Sequence, residues 1–69
     1  MIKALIVDDE KNARESILHL CQMSFAEVEI VGQADGVATA KKAIQELKPD
    51  LVFLDIQLED GSAFDLLND

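Results

Sequence analysis

Four consecutive large apolar residues, Leu51-Val52-Phe53-Leu54, follow Pro49-Asp50 directly and stop on a carboxylate, Asp55. The run is too short for a helix and includes the β-type residues Val52 and Phe53, so it reads as a strand buried on both faces. Strands of that kind belong to parallel sheets, whose faces are covered by helices. Ligands of an open parallel sheet bind outside the carboxyl ends of its strands, so Asp55 is expected to project into that crevice.

The same grammar recurs earlier in the chain. Ile2 to Val7 reads as a buried strand that Asp8-Asp9-Glu10 ends abruptly. Ala13, Ile17, Leu20, Cys21 and Ser24 then recur at helical spacing, with Arg14, Glu15, His19 and Gln22 on the other faces, which predicts a helix over about Lys11 to Ser24. Val28 to Ala34 returns to strand character and Asp35-Gly36 closes it. A second helix carries the apolar stripe Val37, Ala40, Ala43, Ile44 and Leu47; Asp35 is expected to cap its start, and Pro49 forbids its continuation past Lys48. After the third strand, residues 56–61 read as a loop, and Ser62 with Asp65 resembles a capping box opening a third helix.

The order βαβαβα implies a parallel α/β sheet joined by right-handed crossovers. A chain that leaves strand 1 in one direction and then crosses back over it has the spatial order 2-1-3, with helices on both faces. Strand 1 is then central and beside strand 3. That neighbourhood brings Asp8 and Asp9 close to Asp55, at a topological switch point.

Composition narrows the classes of function. The 69 residues make at most one domain, and 14 acidic against 6 basic residues give a formal charge of −8. Such a chain repels phosphate backbones and anionic headgroups, so direct nucleic-acid or membrane binding is not expected. No run approaches the ~20 apolar residues of a membrane span. One cysteine, Cys21, has no disulfide partner and reads as a small buried residue, which fits a reducing, cytoplasmic setting. Phe25, Phe53 and Phe64 read as core residues, and His19, with no second histidine, as a surface residue.

Three carboxylates within a few Å repel one another, and a hard divalent cation is the natural remedy. Mg²⁺ takes oxygen ligands, typically one or two carboxylates with waters and phosphate oxygens, so it suits a site with open positions. With such an ion present, Asp55 can act as a nucleophile on a phosphoryl group. Plainer roles remain open residue by residue. Asp8, Asp9 and Glu10 also suit the positive end of the first helix, and Asp55 suits a loop residue that accepts from local amides. Acids after both strand 1 and strand 3 of one βαβαβ chain favour the shared site. No glycine follows strand 1, so neither a Rossmann fingerprint nor a P-loop is present there.

Leu5-Ile6-Val7-Asp8-Asp9-Glu10 and Leu51-Val52-Phe53-Leu54-Asp55-Ile56-Gln57, with the lead Lys48-Pro49-Asp50-Leu51, resemble the receiver domain of two-component response regulators over the whole chain. The flavodoxin-like order 2-1-3 is also a property of that family, so on this point the resemblance and the crossover argument are not independent. The resemblance implies that Asp55 accepts a phosphoryl group from a sensor histidine kinase. It implies that Mg²⁺ is held by Asp9 directly, by Asp8 mainly through water, by Asp55 and by the backbone carbonyl of Gln57. It further implies a signalling domain rather than an enzyme, one that switches an output domain acting in transcription. The wording Asp55-Ile56-Gln57-Leu58 is most similar to regulators with a LytTR-type DNA-binding output.

Two positions depart from the family pattern: Glu59 stands where proline is usual and Ala63 where glycine is usual, and Gly61 is expected to supply the turn instead. The family's fourth and fifth strands, with its hydroxyl residue, lysine and aromatic switch residue, have no counterpart in residues 1–69. The expectation is therefore the N-terminal part of a receiver domain, its output domain absent. Folded alone, such a part is expected to hide its exposed strand 3 by self-association. The rival readings are a pseudo-receiver that binds partners without phosphorylation, and an Mg²⁺-dependent phosphohydrolase. The latter usually carries a second acid where Gln57 stands.

Overall fold

The computed structural model describes residues 1–55, 57, 58, 61 and 62. Three parallel strands, β1 (Ile2–Val7), β2 (Val28–Ala34) and β3 (Leu51–Leu54), form a sheet in the order β2-β1-β3. Two helices, α1 (Lys11–Ser24) and α2 (Val37–Leu47), are the crossovers. Their bounds follow the apolar runs and turn residues of the sequence, and β1, with a strand on each side, is the most buried element.

The pleat assigns each helix to a face. Leu5 pairs with Gly32 on one side and Val52 on the other, whereas Ala4 pairs with Ile30 and Leu51, so the two sets face opposite ways. Leu5, Val7 and Ala34 form a buried cluster with Val37 and Ala40 of α2, against which Ala43, Ile44, Val52 and Leu54 pack. Ala4 and Ile6, also fully buried, take the other face, which α1 covers from above β1 and β2. Each of Leu5, Ile6 and Val7 gains about 1.5–3 kcal/mol from burial. Between Ala4 and Leu5 the pairing with β2 slips by one residue, leaving Val31 as a bulge.

The buried stripe of α1 differs from the expected one. Cys21 is buried, Ala13, Arg14, Ile17 and Leu18 are half-buried, and Leu20 is 55% exposed. The stripe thus runs through residues 14, 17, 18 and 21, and Leu20, about 100° round the helix from Cys21, falls on its flank. Phe25 is likewise 44% exposed rather than part of the core, while Phe53 is half-buried. Phe64 lies outside the described residues.

At the start of α2 the cap is Gly36, not Asp35, and Thr39 organises the turn. Its Oγ1 accepts from the amides of Asp35 and Gly36 and donates to Asp35 Oδ1 at 2.9 Å. At the other end Lys48 takes the left-handed conformation (φ 48°, ψ 59°) and its amide donates to Ile44 O. Pro49 then prevents further helix. Asp50 fastens β3 to β1 twice: its amide donates to Lys3 O at 2.7 Å, and its Oδ2 accepts from the Lys3 amide at 3.1 Å.

The expected loop over 56–61 contains pairing. Gln57–Leu58 (β4) runs antiparallel to Gly61–Ser62 (β5), with Leu58 opposite Gly61. Gly61 sits at φ 154°, a conformation that residues with a side chain rarely adopt. Ser62 therefore belongs to a strand, and the third helix expected after it lies outside the described residues. Among the described residues no helix is long and apolar enough to cross a membrane.

Candidate functional site

The sheet sets the positions of two acids by backbone bonds one residue past the strands. Asp8 N–H donates to Ala34 O of β2 at 3.1 Å, and Asp55 N–H donates to Val7 O of β1 at 2.9 Å. Each bond extends a parallel ladder by one step, so Asp8 and Asp55 leave the sheet at the same end on adjacent strands. Asp9 follows in the turn toward α1. One carboxylate oxygen from each of Asp8, Asp9 and Asp55 lies within 4.8 Å of the others, and all three residues are half-buried.

The donor set suits a hard cation. Opposite ligands of an octahedral Mg²⁺ are about 4.2 Å apart and those of Ca²⁺ about 5 Å, so three oxygens within 4.8 Å can share one such ion with small rotamer adjustments or one intervening water. Half-burial leaves room for ligands from outside the protein. No cysteine or histidine joins the group, which disfavours a site of the zinc type.

The capping alternative accounts for little of this arrangement. Glu10 occupies the N-cap of α1 in an extended conformation (φ −99°, ψ 122°) and makes no side-chain cap bond. Asp8 Oδ1 accepts from the Glu10 amide at 3.0 Å, a local turn bond that leaves its second oxygen for other partners. Gln57 begins β4 two residues beyond Asp55, paired with Ser62.

One residue at the site was not legible as such. Arg14, expected on an outer face of α1, is half-buried and its Nη1 donates to Asp8 O at 2.7 Å. The available signal was its spacing: Arg14 is seven residues before Cys21 and three before Ile17, on the inward stripe.

A parallel sheet in the order 2-1-3 with an acid cluster at the carboxyl ends of β1 and β3 is the arrangement of a flavodoxin-like, receiver-type fold. Residues 4–69 match the response regulator receiver domain family, and the chain belongs to it. Among its relatives, the sensory transduction protein LytT of Bacillus anthracis is 47% identical over 68 residues, 99% of this chain and 27% of that protein. LytT of Enterococcus faecalis is 50% identical over 62 residues, 90% of this chain and 25% of that protein. The transcriptional regulatory protein BtsR of Salmonella typhimurium is 43% identical over 67 residues, 97% of this chain and 28% of that protein. The chain therefore spans about a quarter of the length of these relatives.

Proposed function

We propose that this chain is the N-terminal part of a phospho-accepting receiver domain, residues 1–69, in which Asp55 takes a phosphoryl group from the phosphohistidine of a sensor kinase. The observation that carries this reading is the convergence of Asp8, Asp9 and Asp55 within 4.8 Å at the ends of adjacent strands. A carboxylate oxygen of Asp55 attacks phosphorus, the bond from phosphorus to the donor's imidazole nitrogen breaks, and the imidazole leaves and takes up a proton. Asp9 and Asp55 would hold Mg²⁺ directly, Asp8 would hold it through water, and the Gln57 carbonyl would complete the protein's ligands; such an ion would offset the charge on the phosphoryl oxygens. The ladder bonds to Ala34 and Val7 keep Asp8 and Asp55 in place while this happens, so little reorganisation is needed.

The modified site then biases a two-state surface that an output domain reads. Its relatives include a sensory transduction protein, LytT, and a transcriptional regulatory protein, BtsR, which supports an output acting in transcription; we assign that output to the LytTR DNA-binding type and the protein to the cytoplasm. The chain's own charge of −8 supports leaving the nucleic-acid contact to that output domain. Leu51 is 39% exposed, and β3 is an edge of the sheet among the described residues. The chain studied alone therefore self-associates along β3.

Intact-mass spectrometry with a small-molecule phosphodonor and Mg²⁺ tests the reading. A single phosphoryl adduct is expected, lost on chelation of Mg²⁺ and absent from Asp55→Asn. An adduct that survives in Asp55→Asn sinks the assignment of the acceptor.

A further inference from the structure

The guanidinium of the chain's only arginine donates to a backbone oxygen beside three carboxylates. Lys11, by contrast, pairs with Glu15 at 4.0 Å on the exposed side of α1. Arg14 lies one turn inside the helix, half-buried, and reaches back to Asp8 O at 2.7 Å, while its own amide donates to Glu10 O to close the first helical turn. A charged donor to a carbonyl at that distance is a strong contact.

The bond matters because of what shares its plane. The carbonyl of Asp8 and the amide of Asp9 belong to one rigid peptide unit. Asp8 is already held by its amide to Ala34 and by its carboxylate to Glu10. Gripping its carbonyl fixes the remaining rotation, and with it the direction in which the chain presents Asp9.

We infer that Arg14 is a positioning residue: its guanidinium locks the Asp8–Asp9 peptide so that Asp9 faces Asp55 in the geometry a divalent cation requires. The inference rests on the metal-binding reading proposed above. It carries a sign that separates it from plainer roles. A cation beside the cluster repels Mg²⁺, so an Arg14 acting only through its charge weakens binding, and its removal tightens it. An Arg14 acting only as helix packing leaves Mg²⁺ affinity unchanged. A positioning Arg14 does the opposite of the first, because loss of an outer partner of a metal ligand typically costs about 10–100-fold in affinity.

The test is an Mg²⁺ titration of the full chain, followed by the amide chemical shifts of Asp9 and Asp55, on wild type, Arg14→Met and Arg14→Lys. Methionine keeps the unbranched stem and a similar helix propensity but removes the charge and the donors. The midpoint is expected to rise about tenfold in Arg14→Met. It should rise less in Arg14→Lys, whose ammonium still offers donors to the carbonyl. An unchanged or lower midpoint in a folded Arg14→Met overturns the inference while leaving the metal site standing. Should Arg14→Met not fold, Arg14→Lys decides alone, and an unchanged midpoint there overturns it. If the wild type shows no Mg²⁺-dependent shift at Asp9 or Asp55, the metal-binding reading falls and this inference with it.

Discussion

The apolar cluster beneath α2 and the acid cluster at the carboxyl ends of β1 and β3 lie a few residues apart on the same strands and follow opposite rules. Beneath α2, Leu5, Val7, Ala34, Val37 and Ala40 are each no more than 7% exposed and gain from mutual contact. At the strand ends, Asp8, Asp9 and Asp55 gather like charges that gain nothing from one another. Backbone bonds to Ala34 and Val7 hold two of them in place, and Arg14 grips the turn to the third. The contrast shows where the sheet invests its stability. Packing of the strand interiors makes the ends rigid enough to keep a repulsive group assembled.

The largest stability effect is expected on the apolar side. Leu5→Ala removes a fully buried side chain at the middle of the central strand and should cost about 2–5 kcal/mol. A chain of this size commonly has only about 3–5 kcal/mol to lose. Urea unfolding followed by circular dichroism should find this variant largely unfolded, and a native-like midpoint would show that the cluster contributes less than its burial implies.

On the acid side the sign reverses. Asp9→Asn relieves repulsion among half-buried carboxylates and should raise stability in Mg²⁺-free buffer by up to about 1 kcal/mol. In saturating Mg²⁺ the wild type gains binding energy that the variant largely lacks, so the order should invert. Thermal melts with and without the ion read both arms; a variant less stable than wild type without Mg²⁺ would mean that the acids are held apart more comfortably than their spacing implies.

A smaller effect separates packing from backbone strain at the edge of the apolar side. Lys48 ends α2 in the left-handed region, which glycine enters without the steric cost that a side chain carries. Lys48→Gly should therefore stabilise the chain by about 0.5–1 kcal/mol, measurable as a rise in the urea midpoint. No gain would show that the greater unfolded-state freedom of glycine offsets the relieved strain.

Much of this was readable before any coordinates. The three main strands and two helices occupy the spans expected from apolar runs bounded by Asp8, Asp35-Gly36 and Pro49, because those signals act between near neighbours in the chain. The short β4–β5 pairing is not legible in the sequence, because strands of two residues carry no alternation. Asp35, the cap expected from the sequence, stands one residue before the N-cap Gly36 and accepts from the Thr39 hydroxyl, a partner that a one-dimensional capping pattern does not specify.

The sequence by itself determined which residues could form the site, since a carboxylate directly after an apolar strand is a local feature. Only the tertiary structure decided that these carboxylates meet within 4.8 Å, because that spacing depends on β3 pairing with β1 across more than forty intervening residues. It also decided what surrounds them. Arg14 reads as one more charge on an amphipathic helix until α1 docks on the sheet, and the rotation of that docked helix turns its guanidinium toward Asp8 and leaves Leu20 on the outside. Helical periodicity specifies the relative angles of side chains around an axis, but the contact that fixes the absolute rotation is made by residues distant in sequence.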